Sequence, residues 1–166
     1  MVTLYNVVSS DGYIARKDGS EDFIPDELWP VTLELFKKFD ALVMGRKTYE
    51  VLQSYGKEFL EPLENLTLKK IVVSQSRDLK VKSGYVIVHT PEEGIALNSK
   101  MLVSTGTTLN EYLLEKKLVD EVILHQVPVA IGDGIPVFNS RYRSALVLQS
   151  ESELGQVKEI KYRLSK

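Results

Sequence analysis

The sequence predicts a three-layer α/β domain: a central mixed, mostly parallel sheet with an antiparallel C-terminal hairpin and flanking helices. Three observations carry this. Short continuous apolar runs, suited to strands buried on both faces, recur at residues 41–44, 71–73 and 101–103, the last two within segments 69–74 and 101–104. Segments with helical spacing lie between them, the alternation that goes with parallel strands joined by helical crossovers. The tail changes character: Ile160, Tyr162 and Leu164 alternate with charged residues around Gly155, which is half-exposed hairpin patterning.

Taken in order, residues 2–8 enter a strand at once. There is no basic leader or small-residue cleavage site, so no signal peptide is expected. Ser9-Ser10-Asp11-Gly12 is turn chemistry, followed by a short apolar return at Tyr13-Ile14-Ala15 and a polar loop over residues 16–22. Val31, Leu35, Phe36 and Phe39 recur at helical spacing after Pro30, predicting an amphipathic helix with Lys37 and Lys38 near its end. A second helix opens at Arg46-Lys47-Thr48 and is expected to end at Gly56. Residues 57–68 read as a charged connection. Pro91-Glu92-Glu93 starts a brief helix, and Thr108 with Glu111 has capping-box spacing for another. Residues 119–131 are mostly β-forming, with His125 inside them. Asp11 and Asp40 read as turn and helix-end residues.

With 166 residues and no repeat, low-complexity tract or linker, one domain over residues 1–166 is expected. Lys and Arg number 21 against 23 acids, a net charge of −2, which argues against nucleic-acid and polybasic membrane surfaces. No apolar stretch approaches the ~20 residues that cross a bilayer, and a cytoplasmic location is expected. The absence of cysteine excludes disulfides, thiolate metal sites and a cysteine nucleophile. With two histidines, no metal centre is expected.

Two strand-to-helix corners stand out, Met44-Gly45-Arg46-Lys47-Thr48 and Ser104-Thr105-Gly106-Thr107-Thr108. A helix start presents free N–H groups and a positive dipole end, so each corner is a candidate phosphate site. Taken alone, the first is more often a solvated corner. Together, with Ser74 and Ser76 after a third strand, the two could hold the phosphates of one dinucleotide beyond the carboxyl ends of the strands. Neither corner is a G-x-G-x-x-G or P-loop fingerprint.

At this point the sequence resembles a known group. Residues 43–50, Val-Met-Gly-Arg-Lys-Thr-Tyr-Glu, are similar to the first cofactor helix of dihydrofolate reductases. Residues 39–46 are at least as similar to the reductase domain of the bifunctional riboflavin-biosynthesis deaminase–reductase, whose first-strand motif Ser10-Asp11-Gly12-Tyr13-Ile14-Ala15 resembles. Leu118-Val119-Asp120-Glu121 and residues 128–138 resemble its late signature. The resemblance runs over about residues 1–140 in register.

It implies a dihydrofolate-reductase-like fold and an NADPH-dependent reductase acting on a small heterocyclic or imine-like substrate. By position, Gly45, Arg46, Lys47 and Thr48 would hold the adenosine-side phosphates, and Ser74, with Gln75 or Ser76 beside it, would help bind the 2′-phosphate. A planar guanidinium suits that phosphate, so Arg46 would favour NADPH over NADH. Thr105, Gly106, Thr107, Thr108 and Leu109 would line the pyrophosphate, and Val7, Ile14 and Ala15 would border the nicotinamide. A homodimer through residues 128–138 is implied as in riboflavin-type relatives, against the alternative of an internal strand and turn.

Three departures limit the carry-over. The group usually has Gly-Gly at the second corner, often joined by a cis peptide, where this chain has Thr105-Gly106. Aligning Pro30 and Phe36 puts Thr32 where dihydrofolate reductase carries the acid that holds the pterin, so folate is not the expected substrate. The Asp-Pro-x-Leu segment of the riboflavin reductases is missing. For the proton that accompanies hydride transfer, the candidates are Tyr5, Thr32, Tyr49 and His125; His125 titrates near neutrality, although a histidine in a β run is more often core. Trp29 is a candidate pocket wall or simply core. The competing reading is an NADPH-binding member of the fold without turnover.

Overall fold

The structure is a computed structural model describing residues 1–165. Its elements run β1 (Val2–Val8), β2 (Tyr13–Ala15), α1 (Leu28–Phe36), β3 (Ala41–Gly45), α2 (Arg46–Gln53), α3 (Lys57–Glu64), β4 (Lys69–Val73), β5 (Tyr85–Val88), α4 (Pro91–Ala96), β6 (Met101–Val103), α5 (Thr107–Glu115), β7 (Glu121–Gln126), β8 (Ile135–Pro136), a 3₁₀ turn (Ser140–Ala145), β9 (Leu146–Leu154) and β10 (Val157–Leu164). Among the described residues, eight strands form one sheet in the order β5-β4-β3-β6-β1-β7-β10-β9. The first six are parallel, while β10 runs antiparallel to β7 and β9 antiparallel to β10. The mixed sheet and the terminal hairpin agree with the patterning.

Strand alternation divides the core between two faces. Tyr5, Leu42, Met44, Val72, Leu102 and Ile123 face α1, α2 and α3. Leu4, Val43, Ile71, Val103 and Val122 face the other way, toward Leu113 and Leu114 of α5 and Ile95 of α4. A third, smaller cluster of Phe23, Leu28, Val127 and Val157 closes the carboxyl end of the first face, joined by Val7 and Val31. A separate two-stranded ribbon, β2 with β8, stands beside the sheet.

Several expectations are corrected. Residues 57–68 are not a plain connection, because Lys57–Glu64 is helical and buries Leu60 and Leu63. Pro62, which lacks an amide donor, hid that helix. Gly56 does not end α2, which stops at Gln53; it caps the start of α3 in extended conformation. The capping box fails too. Gly106 is the N-cap of α5, and Glu111 instead accepts a hydrogen bond from the Asn139 N–H at 2.7 Å. The first helix begins at Leu28, so Pro30 lies in its first turn, where a missing N–H costs nothing. Of residues 119–131, only Glu121–Gln126 is strand. Asp40 precedes β3, and its carboxylate accepts from Ser99 Oγ and Lys100 N. Trp29 is half-buried at the α1–α3 contact, with Nε1 donating to the Phe59 carbonyl at 2.9 Å.

Candidate functional site

The two corners meet. β3 and β6 are neighbours in the sheet, so the starts of α2 and α5 lie side by side at its carboxyl edge. Thr105 Oγ1 accepts a hydrogen bond from the Gly45 N–H at 3.0 Å, tying one corner to the other. A Cβ on Gly45 would stand 3.0 Å from that oxygen, so glycine permits the approach. Neither helix start has a side-chain cap; Gly45 and Gly106 are both N-caps in extended conformation. The space where a Gly106 Cβ would point is open. Two uncapped, adjacent helix N-termini beside open space suit two phosphates of one anion.

Around them, Arg46 and Lys47 are exposed and Thr48 is half-buried. The Arg46 Nε donates to Glu50 Oε1 at 2.7 Å, along its own helix. Ser74 is buried at the end of the adjacent β4, with Oγ accepting from the Ser76 N–H, while Gln75 is exposed. Thr108 is exposed, and Thr107 and Leu109 are half-buried on the first turns of α5. Thr107 Oγ1 donates to the Pro136 carbonyl, which ties the start of α5 to the ribbon carrying Ile14 and Ala15. Val7, half-buried, packs on the Tyr5 face of β1, whereas Ile14 packs on the opposite face, so the two are not brought together. The chain bends through the Thr105–Gly106 peptide in trans, since no peptide among the described residues is cis. Thr105 keeps its side chain occupied by Gly45 instead of turning it into the open space.

Two supports escaped sequence reading. The Asn6 side-chain amide donates to the Thr105 carbonyl at 2.8 Å, and Asn110 donates to Asn6 Oδ1 and the Val137 carbonyl, both at 3.0 Å. These buried amides fix the second corner from beneath. An asparagine inside an apolar strand run was the available signal. The Asp11 carboxylate accepts from Ser9 Oγ and from the Ile131 and Gly132 amides, so it holds the first turn against a distant loop.

Three of the four proton-handling candidates also come together. Tyr5 Oη lies 2.9 Å from Thr32 Oγ1 and 2.9 Å from His125 Nδ1. His125 Nε2 lies 3.0 Å from Glu159 Oε2, and Lys161 Nζ 3.0 Å from Glu159 Oε1. His125 and Glu159 are direct cross-strand partners in the β7–β10 register. Tyr49 stands apart, its hydroxyl accepting from the Lys82 N–H. Exposure grades along the chain: Thr32 4%, Tyr5 2% and His125 0%, then 16% and 33% for the Glu159 and Lys161 side chains.

Burial pushes the His125 pKa down despite its bond to Glu159, and burial raises that of Tyr5. Burial acts to raise Glu159, but hydrogen bonds from His125 and Lys161 outweigh it and hold the carboxyl below its usual range. An ionised Glu159 only accepts, so a neutral His125 donates from Nε2 and leaves Nδ1 as acceptor. Tyr5 then donates to Nδ1 and accepts from Thr32. One polarity satisfies every member.

A pH effect on stability follows. Below about pH 6.5 the unfolded histidine takes a proton that native His125 resists. The unfolded state then binds more protons, and stability falls with pH. Glu159 adds to the loss at lower pH, because its contribution is present above the unfolded carboxylate value of about 4.3 and fades below it. Thermal melts should show Tm falling between pH 7 and 5, with His125→Gln flattening that slope.

Two open hollows lie away from both clusters. One of about 430 Å³ adjoins the hairpin tip at Pro128, Gly155 and Val157; another of about 460 Å³ lies against Tyr55, Leu60 and Lys82. Neither touches the corners, and their chemistry is unremarkable. The corners form an open shelf instead.

The RibD C-terminal domain family matches residues 1–157. This chain belongs to that family. Beyond the family match, this chain is 25% identical over 169 residues to the uncharacterized protein YwjB of Bacillus subtilis (strain 168), covering 96% of this chain and 95% of the other. Its fold is that of a putative riboflavin biosynthesis protein from Shewanella sp. PV-4 (TM-score 0.75, 22% identity, 99% of each chain). Dihydrofolate reductase from Enterococcus faecalis, solved with NADP(H) and RAB-propyl, is similar too (TM-score 0.73, 17% identity, 100% and 97% of the chains). A diaminohydroxyphosphoribosylaminopyrimidine deaminase/5-amino-6-(5-phosphoribosylamino)uracil reductase from Thermotoga maritima superposes with a TM-score of 0.72 at 16% identity, across 99% of this chain and 56% of that longer one. The dihydrofolate-reductase-like fold is therefore shown, and the family is of a reductase type. No helix among the described residues is long and apolar enough to cross a membrane.

Proposed function

We propose that this chain is an NADPH-dependent reductase of a small heterocyclic or imine-like substrate. The observation that carries the reading is the pair of uncapped helix starts joined through Gly45 and Thr105. When bound, the dinucleotide supplies hydride. Gly45, Arg46, Lys47 and Thr48 hold its adenosine-side phosphates, and Arg46 exchanges Glu50 for the 2′-phosphate. Ser74, Gln75 and Ser76 complete that end. Thr105, Gly106, Thr107, Thr108 and Leu109 hold the pyrophosphate, and Val7, Ile14 and Ala15 border the nicotinamide. Tyr5, Thr32 and His125 supply the proton.

The same reading makes it a cytoplasmic single-domain protein that pairs as a homodimer through residues 128–138. In that segment Val129 is 39% exposed, whereas Val137 and Phe138 are committed to the core. The second reading, binding without turnover, is favoured by Thr32, a hydroxyl unable to form a charged pair with a pterin. Titration of nicotinamide fluorescence should saturate with NADPH at micromolar concentrations. Oxidation of NADPH against pterins, pyrimidines, quinones and a cyclic imine then separates the readings. Saturation without oxidation of any of them favours the second; no saturation ends both.

A further inference from the structure

We infer that Asn6 and Asn110 are positioning residues: together they decide which edge of the Thr105–Gly106 peptide faces the open shelf, and so make that corner a donor to anions. This rests on the dinucleotide reading for its use but not for its existence. The order of donors and acceptors starts at the Val137 carbonyl, which can only accept. It therefore requires the Nδ2 edge of Asn110, at 3.0 Å. The same Nδ2 donates to Asn6 Oδ1 at 3.0 Å, so Asn6 turns its oxygen that way. Asn6 Nδ2 is then left facing the corner, where it donates to the Thr105 carbonyl at 2.8 Å. Both amides are buried, so neither can exchange its partners for bulk water. One further atom shows that this order is imposed. Asn110 Oδ1 is buried with no hydrogen-bond partner among the described residues, which costs free energy. Turning the amide over brings no relief, because Oδ1 would then face Asn6 Oδ1 and the Val137 carbonyl, two more acceptors.

In a trans peptide the C=O and the N–H point to opposite sides. With the Thr105 carbonyl held down against Asn6, the Gly106 N–H is turned away from β1, and it has no acceptor among the described residues. The backbone has a second setting. Rotating this one peptide by about 180° changes only ψ of Thr105 and φ of Gly106, and it takes the latter from −83° into the left-handed region that glycine tolerates. The Thr105 side chain, bonded to the Gly45 N–H, need not move. In the present setting glycine is not required, since φ is ordinary and a Cβ would meet nothing within 4 Å. Only the rotated setting calls for it. Rotated, the corner would show a carbonyl oxygen to the shelf and repel a phosphate. Asn6 excludes that setting, because its Nδ2 would then meet the Gly106 N–H, donor against donor.

Asn6→Asp is close to isosteric and replaces the donor by an acceptor. Ionised, the new carboxylate repels the Thr105 carbonyl and draws the Gly106 N–H inward; protonated, which burial favours, it donates as the amide did. Calorimetric titration with inorganic pyrophosphate compares wild type and variant at pH 8 and pH 5. The variant should bind ~10-fold or more weakly than wild type at pH 8 and return to within about threefold of it at pH 5. Equal affinity at pH 8, or a loss that pH 5 does not reverse, overturns the proposal. Amide exchange of the ¹⁵N-labelled protein reads the peptide without any ligand. The wild-type Gly106 N–H should exchange as an exposed amide, and Asn6→Asp at pH 8 should protect it ~10-fold or more. A protected Gly106 N–H in wild type overturns the proposal, as does an unprotected one in the variant. Gly106→Ala needs no Asn6 variant to fold. In the present setting it should leave Tm within about 2 °C; a larger fall shows that the left-handed setting is the resting one and overturns the proposal. Failure of wild type to bind pyrophosphate would defeat the dinucleotide reading alone, because exchange and melting are read without ligand.

Discussion

Gly134→Ala should destabilise the protein by about 2–3 kcal/mol, a fall of roughly 5–10 °C in Tm for a chain of this size. A Cβ at this position would run into the backbone carbonyl of Ala15 and stand 3.0 Å from Ile131 Cδ1 and 3.3 Å from Tyr13 Cβ. The carbonyl belongs to β2, which pairs with β8 immediately after Gly134. Neither strand can retreat freely. The ribbon is fastened by the Thr107–Pro136 bond on one side and the Asp11 carboxylate bonds to residues 131 and 132 on the other. Gly132→Ala is the matched comparison: it sits at φ +79° with open space around its Cβ. That substitution carries only the left-handed backbone penalty of about 1–2 kcal/mol. Differential scanning of both variants checks the order, and equal losses would show that the ribbon can shift.

Arg46→Ala should weaken NADPH binding about 10- to 100-fold, the worth of charge-assisted bonds to a phosphate, and change NADH binding by no more than about twofold. The guanidinium is about half exposed and bonded to Glu50, and such a surface pair is worth about 1 kcal/mol or less. Exchanging the carboxylate for a dianionic phosphate is therefore favourable. Fluorescence titration with each cofactor measures the two losses, and equal losses would remove Arg46 from the 2′-phosphate.

The strands were legible because burial on both faces leaves a compositional trace. Residues 41–44 and 101–103 are apolar throughout, and β9–β10 showed itself by alternation. The helix at Lys57–Glu64 was not legible, because one proline outweighs two leucines in any local reading. Both corners could be found locally, since each is a turn between a strand and a helix. Their contact could not, because Gly45 and Thr105 are brought together by the insertion of β6 beside β3. The same holds for the proton-handling cluster. Tyr5, Thr32 and His125 could be nominated by chemistry, but Glu159 looked like one more charge on an exposed strand. Only the register that sets it opposite His125 joins it to the buried cluster.

The bond from Gly45 to Thr105 also bears on biogenesis. Half of the cradle is translated sixty residues after the other half, and β1 has no parallel neighbour in the main sheet until residue 101 has been made. A nascent or proteolytically clipped chain ending before α5 thus offers one helix start where two are needed. Affinity for a dinucleotide would arise late and abruptly during synthesis, so ligand capture reports completion of the sheet rather than the mere presence of its first corner.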